Sequence, residues 1–178
     1  MKENLEVQSN GSKRAQPELE KQTELRGGHD RQSVIALLNE ALSMELECVL
    51  RYRRHHFASP GVGGIAGVTV APELLEHSNE ELAHADRLAA RITQLGGTPI
   101  FVPKALEPRA PGAQPTLREM LMDDLSAERL AVSTYANSVR TVGDSDPTTR
   151  RIFEDILAQE EDHVEELEDF LRNLSTHA

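Results

Sequence analysis

The sequence predicts an all-α fold, a four-helix bundle. Three observations carry this reading. Four long segments show apolar residues at helical spacing, no strand pattern of comparable strength occurs, and a long proline-rich connection separates the second segment from the third.

The four segments fall at about 33–58, 72–96, 116–143 and 147–174. Their ends carry local signals. Pro72 and Pro147 fit first helical positions, where a missing N–H costs nothing, and Asp146 is placed to cap the fourth helix. Thr116 with Glu119 forms a capping box, and Gly96 and Gly97 stop the second helix. The connection of about nineteen residues holds Pro99, Pro103, Pro108, Pro111 and Pro115, too long for a tight antiparallel turn. Extended proline-rich chain covers about 3 Å per residue, enough to run the roughly 40 Å of a helix of about 26 residues. It reads as a crossover that lets the second and third helices run parallel.

Residues 1–32 are polar and lack aromatics, with six basic side chains (Lys2, Lys13, Arg14, Lys21, Arg26, Arg31) against six acids (Glu3, Glu6, Glu18, Glu20, Glu24, Asp30). This segment is expected to be a disordered tail, leaving 33–178 as a single bundle domain. The net charge of -11 therefore resides on the folded part, which argues against nonspecific adhesion to nucleic acid and suits the gathering of cations. The one cysteine, Cys48, excludes an internal disulfide and cysteine-based metal clusters, so any metal chemistry here uses carboxylates and imidazoles. The apolar stretch from Gly61 to Ala71 is too short for a membrane span and the N-terminus lacks a signal pattern; a cytoplasmic protein is expected.

Each helix has an apolar seam interrupted near its middle by ligand-type residues. The first reads Leu38, Leu42, Glu45, Val49, Tyr52; the second reads Leu74, Ser78, Glu81, Ala85, Leu88, with His84 one turn after Glu81. The third reads Leu121, Leu125, Glu128, Val132, Tyr135, and the fourth Ile156, Glu160, His163, Leu167. Glu47, Glu80, Glu161, Glu165 and Glu166 fall instead on polar faces. A single Glu on a seam, or a single Glu-x-x-His, is an ordinary helical occurrence. Four glutamates and two histidines aimed at one core are not, because gathered carboxylates without cations suffer desolvation and repulsion worth several kcal/mol. Two metal ions with mixed oxygen and nitrogen ligands relieve both.

This order of motifs, with the strings LNEALSMELECVLRY, NEELAHADR, MLMDDLSAERLA and ILAQEEDHVEELE, resembles the bacterioferritins and their ferritin-superfamily relatives over residues 33–174. The resemblance implies a ferritin-like bundle with a di-iron site in which Glu81 and Glu160 bridge the ions and Glu45, His84, Glu128 and His163 are terminal ligands. It implies a ferroxidase that stores or detoxifies iron, oxidising Fe(II) with H2O2 or O2. Tyr52 and Tyr135, each seven residues after the unpaired glutamate of its helix, are candidates to orient ligand carboxylates; an ordinary core role fits them equally.

Departures from the family pattern narrow the reading. Leu82 stands where haem-binding members have methionine, so no haem is expected, and only fifteen residues follow His163, too few for a fifth helix. The likeness is then to a Dps-like branch with a dodecameric homo-oligomeric shell, although the cysteine pair of some such proteins is absent and Glu80 and Gln159 replace frequent aspartates. His55 and His56 read as part of a basic helix end, His77 as a bystander or a transient entry ligand, and Cys48 as a packing residue. Two other functions remain open: a DNA-protecting Dps-like shell, which the neutral tail does little to support, and a di-manganese catalase, since the ligand set suits manganese as well as iron.

Overall fold

The computed structural model describes residues 30–103 and 114–176. Four helices occupy them: α1 (Arg31–Val62), α2 (Gly64–Gln94), α3 (Leu117–Val142) and α4 (Pro147–Thr176). The expected tail lies almost wholly outside the described residues, and α1 begins two residues before the expected boundary, capped by the Asp30 carboxylate accepting from the Ser33 amide at 2.7 Å. Among the described residues no helix is long and apolar enough to cross a membrane.

The largest departure from expectation lies between the first two helices. The first helix is expected to end near residue 58 and Pro72 to open the second, but α1 runs on through Pro60 and Pro72 lies inside α2. Helix continues through the Gly-rich stretch and breaks only at Gly63, with Gly64 at φ +54, a conformation that suits glycine. Gly67 lets the two backbones close up, since a Cβ there would lie 2.0 Å from the Ser59 carbonyl oxygen. Glycine therefore makes a one-residue corner here instead of ending the helices early.

The other signals act as read. The Thr116 hydroxyl accepts from the Glu119 amide while the Glu119 carboxylate accepts from the Thr116 amide. Asp146 accepts from the Thr149 amide at 3.0 Å at the start of α4. Gly96, at φ +76, ends α2, with the Gly97 amide donating back to the Ile92 carbonyl.

Helix directions follow from the cross-links. Tyr52 meets Glu128 and His55 meets Asp124, so α1 and α3 are antiparallel; His77 meets Glu166 and Arg91 meets Asp146, so α2 and α4 are antiparallel. Since α1 and α2 form one hairpin and α3 and α4 the other, α2 and α3 run parallel. The connection leaves α2 along α1, with the Ile100 amide donating to Asn39 and the Ser43 hydroxyl to the Val102 carbonyl, and Leu117 opens α3 beside Gly63 at the far end. Its middle, residues 104–113, lies outside the described residues.

The apolar core is in two parts. One is built around Leu38, Leu42, Leu88, Ile92, Phe153 and Ile156, the other around Leu74, Leu121, Leu125 and Leu167. Between them lies a layer of buried carboxylates and imidazoles.

Candidate metal centre

Each helix contributes to that layer from its middle: Glu45 from α1, Glu81 and His84 from α2, Glu128 from α3, Glu160 and His163 from α4. All six are buried. They form two groups whose potential ligand atoms lie within 4.8 Å of one another: Glu45, Glu81, His84, Glu160, and Glu81, Glu128, Glu160, His163. Glu81 and Glu160 belong to both. The Nδ1 atom of His84 lies 3.1 Å from Glu81, 3.1 Å from Glu160 and 3.5 Å from Glu45. On the other side the Nδ1 atom of His163 lies 3.1 Å from Glu81, 3.4 Å from Glu160 and 3.9 Å from Glu128. The i, i+3 spacing of each Glu-x-x-His puts its oxygen and nitrogen on one face, and the two hairpins present these motifs to each other across the bundle axis.

Proximity is not satisfaction. Oε1 of Glu81, Oε2 of Glu128, both oxygens of Glu160 and Nδ1 of His163 are buried with no hydrogen-bond partner. Unpaired buried oxygens of this kind cost on the order of 1–3 kcal/mol each, more when charged. Burial, then the neighbouring Glu45, Glu128 and Glu160, push Glu81 well above the usual carboxylate range, and burial pushes Glu160 up to about 7. Burial opposes the charging of His84 and His163, yet the surrounding carboxylates prevail, raising His84 to about 12 and raising His163 as well. Burial also acts to raise Glu128, but the neighbouring His163, with Glu160 and the Tyr52 hydroxyl, outweighs this and it ionises more readily than the free acid. Without cations, the cluster thus holds protons where a metal site needs lone pairs.

A surrounding ring of side chains orients the six. The Tyr52 hydroxyl donates to Glu128 at 2.6 Å and the Tyr135 hydroxyl donates to Glu45. Each tyrosine thus serves the glutamate of the opposite hairpin, not that of its own helix. Outward-facing Nε2 atoms are also engaged: that of His84 with Gln159 at 3.1 Å and that of His163 with Glu80 at 2.9 Å. Sequence phase left Glu80 and Glu166 among solvated acids, yet Glu80 meets His163 and Glu166 meets His77 at 2.8 Å. Helical phase gives no sign of these contacts, which are made at the flanks of α2 and α4.

One more histidine differs from expectation. His55 is buried and contacts both oxygens of the buried Asp124, at 2.9 and 2.8 Å, so it belongs to the α1–α3 contact and not to a basic surface end. His77 is buried too, stacked on the His163 ring at 4.4 Å between centroids. Cys48 is buried, and burial, then Glu128, Glu81 and Glu45, hold its thiol well above the usual range, which suits packing and not reactivity.

Residues 35–176 match the family described as a ferritin-like domain. The chain belongs to the ferritin-like family. Within it, the bacterioferritin of Rhodobacter capsulatus is 37% identical over 138 residues, covering 76% of this chain and 80% of that protein. Among solved structures, a dodecameric thioferritin, the bacterioferritin-related protein of Bacteroides fragilis, superposes with a TM-score of 0.75 at 31% identity, covering 89% of this chain and 96% of that one. The Rhodobacter capsulatus bacterioferritin, described with a metal-free dinuclear site and haem iron, superposes with a TM-score of 0.72 at 32% identity, covering 85% of this chain and 90% of that one.

Proposed function

We propose that this ferritin-like protein is a bacterioferritin-type ferroxidase whose centre is formed by Glu45, Glu81, His84, Glu128, Glu160 and His163. One observation carries the assignment: two buried ligand groups share Glu81 and Glu160, and the shared acids keep orphaned oxygens. Glu45 and His84 would hold one ion and Glu128 and His163 the other, and Glu81 and Glu160, common to both groups, would serve both. Oxygen-rich coordination favours the ferric state, and two Fe(II) ions supply the two electrons that reduce H2O2, with two protons, to two waters, or that begin the reduction of O2. Tyr52 and Tyr135 fix the carboxylates they donate to, and Glu80 and Gln159 fix the ring orientation of the histidines.

The ferric product is retained by a shell of identical chains, a dodecamer as in the Bacteroides fragilis protein. Leu82 offers only hydrocarbon on α2, so no haem is held there. The lone buried Cys48 suits a reducing cytoplasm.

Anaerobic Fe(II) titration of the full chain and of Glu81→Ala, followed by O2 or H2O2 in separate runs, tests this reading. Saturation at two ions per chain with rapid oxidation, both lost in the variant, is expected, and the faster oxidant identifies the partner. Release of O2 from peroxide without Fe(II) consumption would assign a di-manganese catalase instead.

A further inference from the structure

We propose that His55 and Asp124 form the route by which protons pass between solvent and the dinuclear centre, an inference that rests on the proposed ferroxidase reading. That chemistry moves protons both ways. Ions entering the centre displace the protons its carboxylates and imidazoles hold, and reduction of H2O2 by two Fe(II) ions takes up two protons to form two waters. All six residues of the centre are buried, so these protons cross packed protein.

His55 and Asp124 are 1% and 0% exposed, an ionisable pair that the proposed chemistry otherwise leaves unused. They form the next layer out from the Tyr52–Glu128 bond on the same two helices, His55 three residues after Tyr52 and Asp124 four before Glu128. Asp124 is near enough for its charge to bear on the Tyr52 phenol. The partners fix the tautomer. Arg54 can only donate, and its guanidinium lies 3.4 Å from Nε2 of His55, so Nε2 accepts while Nδ1 donates to Asp124 at 2.8 Å. Arg54 is exposed, so one ring nitrogen meets a surface side chain and the other an acid one turn from Glu128. A proton taken up at Nε2 releases the one on Nδ1 to Asp124, which hands it on toward Tyr52 and Glu128; protons leave by the reverse steps. Burial raises the Asp124 carboxyl above its ordinary value, which favours its holding a proton in transit, and the other charges that bear on it are His55 and Arg51 from α1 and Glu128 from α3. A contact that only fastened α1 to α3 would do as well in hydrocarbon, because a buried ionisable pair repays its own desolvation poorly.

The experiment follows proton release with a pH indicator as Zn2+ is mixed with the weakly buffered full chain, and Fe(II) oxidation by H2O2 in H2O and in D2O. Wild type, His55→Gln, Asp124→Asn and Arg54→Ala are compared. His55→Gln and Asp124→Asn keep a polar side chain that cannot relay a proton. Both should release the same final amount several-fold more slowly than wild type, with a larger solvent isotope effect on oxidation. Arg54→Ala removes a cation that opposes protonation of Nε2 and should release protons faster; its position is exposed, so it folds even if the buried variants do not. A pair that served packing alone would lower Tm in the two buried variants and leave release rates and isotope effects at wild-type values, which overturns the proposal. Should the buried variants not fold, a wild-type release rate in Arg54→Ala overturns it. A wild type that neither takes up two Zn2+ ions nor oxidises Fe(II) overturns the dinuclear reading instead.

Discussion

The Tyr52 hydroxyl on α1 donates at 2.6 Å to Glu128 on α3, and Tyr135 on α3 returns the same bond to Glu45 on α1. The exchange locks two antiparallel helices at the level of the centre and leaves each glutamate only one free oxygen for a cation. Replacing either tyrosine by phenylalanine keeps the packing and removes the donor. Fe(II) oxidation should slow by about tenfold or more, and metal-free stability should fall by about 1–3 kcal/mol. Initial rates with two ions per chain and urea unfolding of the metal-free chain measure the two effects; wild-type rates in both variants would reduce the phenols to packing groups.

Glu81 sits among three other carboxylates with its own charge strongly disfavoured by burial. Glu81→Gln removes that burden and should stabilise the metal-free fold by about 1–3 kcal/mol while abolishing the metal-dependent rise in Tm. Thermal melts with and without Zn2+ decide it. A variant less stable than wild type in both states would show that Glu81 is held by bonds other than those described.

Most of this arrangement was legible in the sequence because it depends on periodicity. The six buried glutamates and histidines interrupt leucine seams in phase, and phase survives folding. What phase cannot show is contact made at a helix flank. Glu80 lies beside Glu81 but angles toward α4, and no pattern within α2 predicts His163 as its partner. The corner at Gly63 was hidden for another reason. Helical spacing of apolar residues fades through the Gly-rich stretch, but in antiparallel helices that approach this closely glycine is what permits contact. Likewise Asp124 reads as one of two adjacent acids on α3, and its burial is set by His55, sixty-nine residues away.

His84 and His163 differ in their outer partners: His163 faces a carboxylate and His84 an amide. A carboxylate increases the basicity of an imidazole more than an amide does, so the ion beside His163 should bind more tightly. Gln159→Glu should remove the difference, strengthening the weaker step by about tenfold. Calorimetric titration with Zn2+ should show two resolved steps in wild type converging in the variant.

Asp146 caps α4 and takes both bonds from Arg91 at the end of α2, each at 2.9 Å. Burial acts against its charge, but the Thr149 and Arg91 bonds prevail and lower it. A lowered acid contributes stability that is full above its unfolded value and is lost as pH falls through its folded one. Asp146→Asn should therefore cost about 1–2 kcal/mol at pH 7, with the gap to wild type closing below about pH 4. Paired denaturation curves at the two pH values check this.

The centre itself should impose the opposite slope. Glu160 rises from 4.5 to about 7 and His84 from 6.5 to about 12, so the folded metal-free chain binds more protons than the unfolded one. Where that holds, stability falls as pH rises. The Glu160 contribution is lost between 4.5 and about 7, and that of His84 is present below 6.5 and lost toward about 12. A divalent ion replaces those protons, so its affinity should climb with pH and each binding event should release acid. The metal-free Tm should drop from pH 5 to pH 9 while the Zn2+-loaded Tm stays level or rises, and a weakly buffered titration should acidify as ions bind. Binding without proton release would mean that the carboxylates are already ionised and that the protein field, not protons, holds them together.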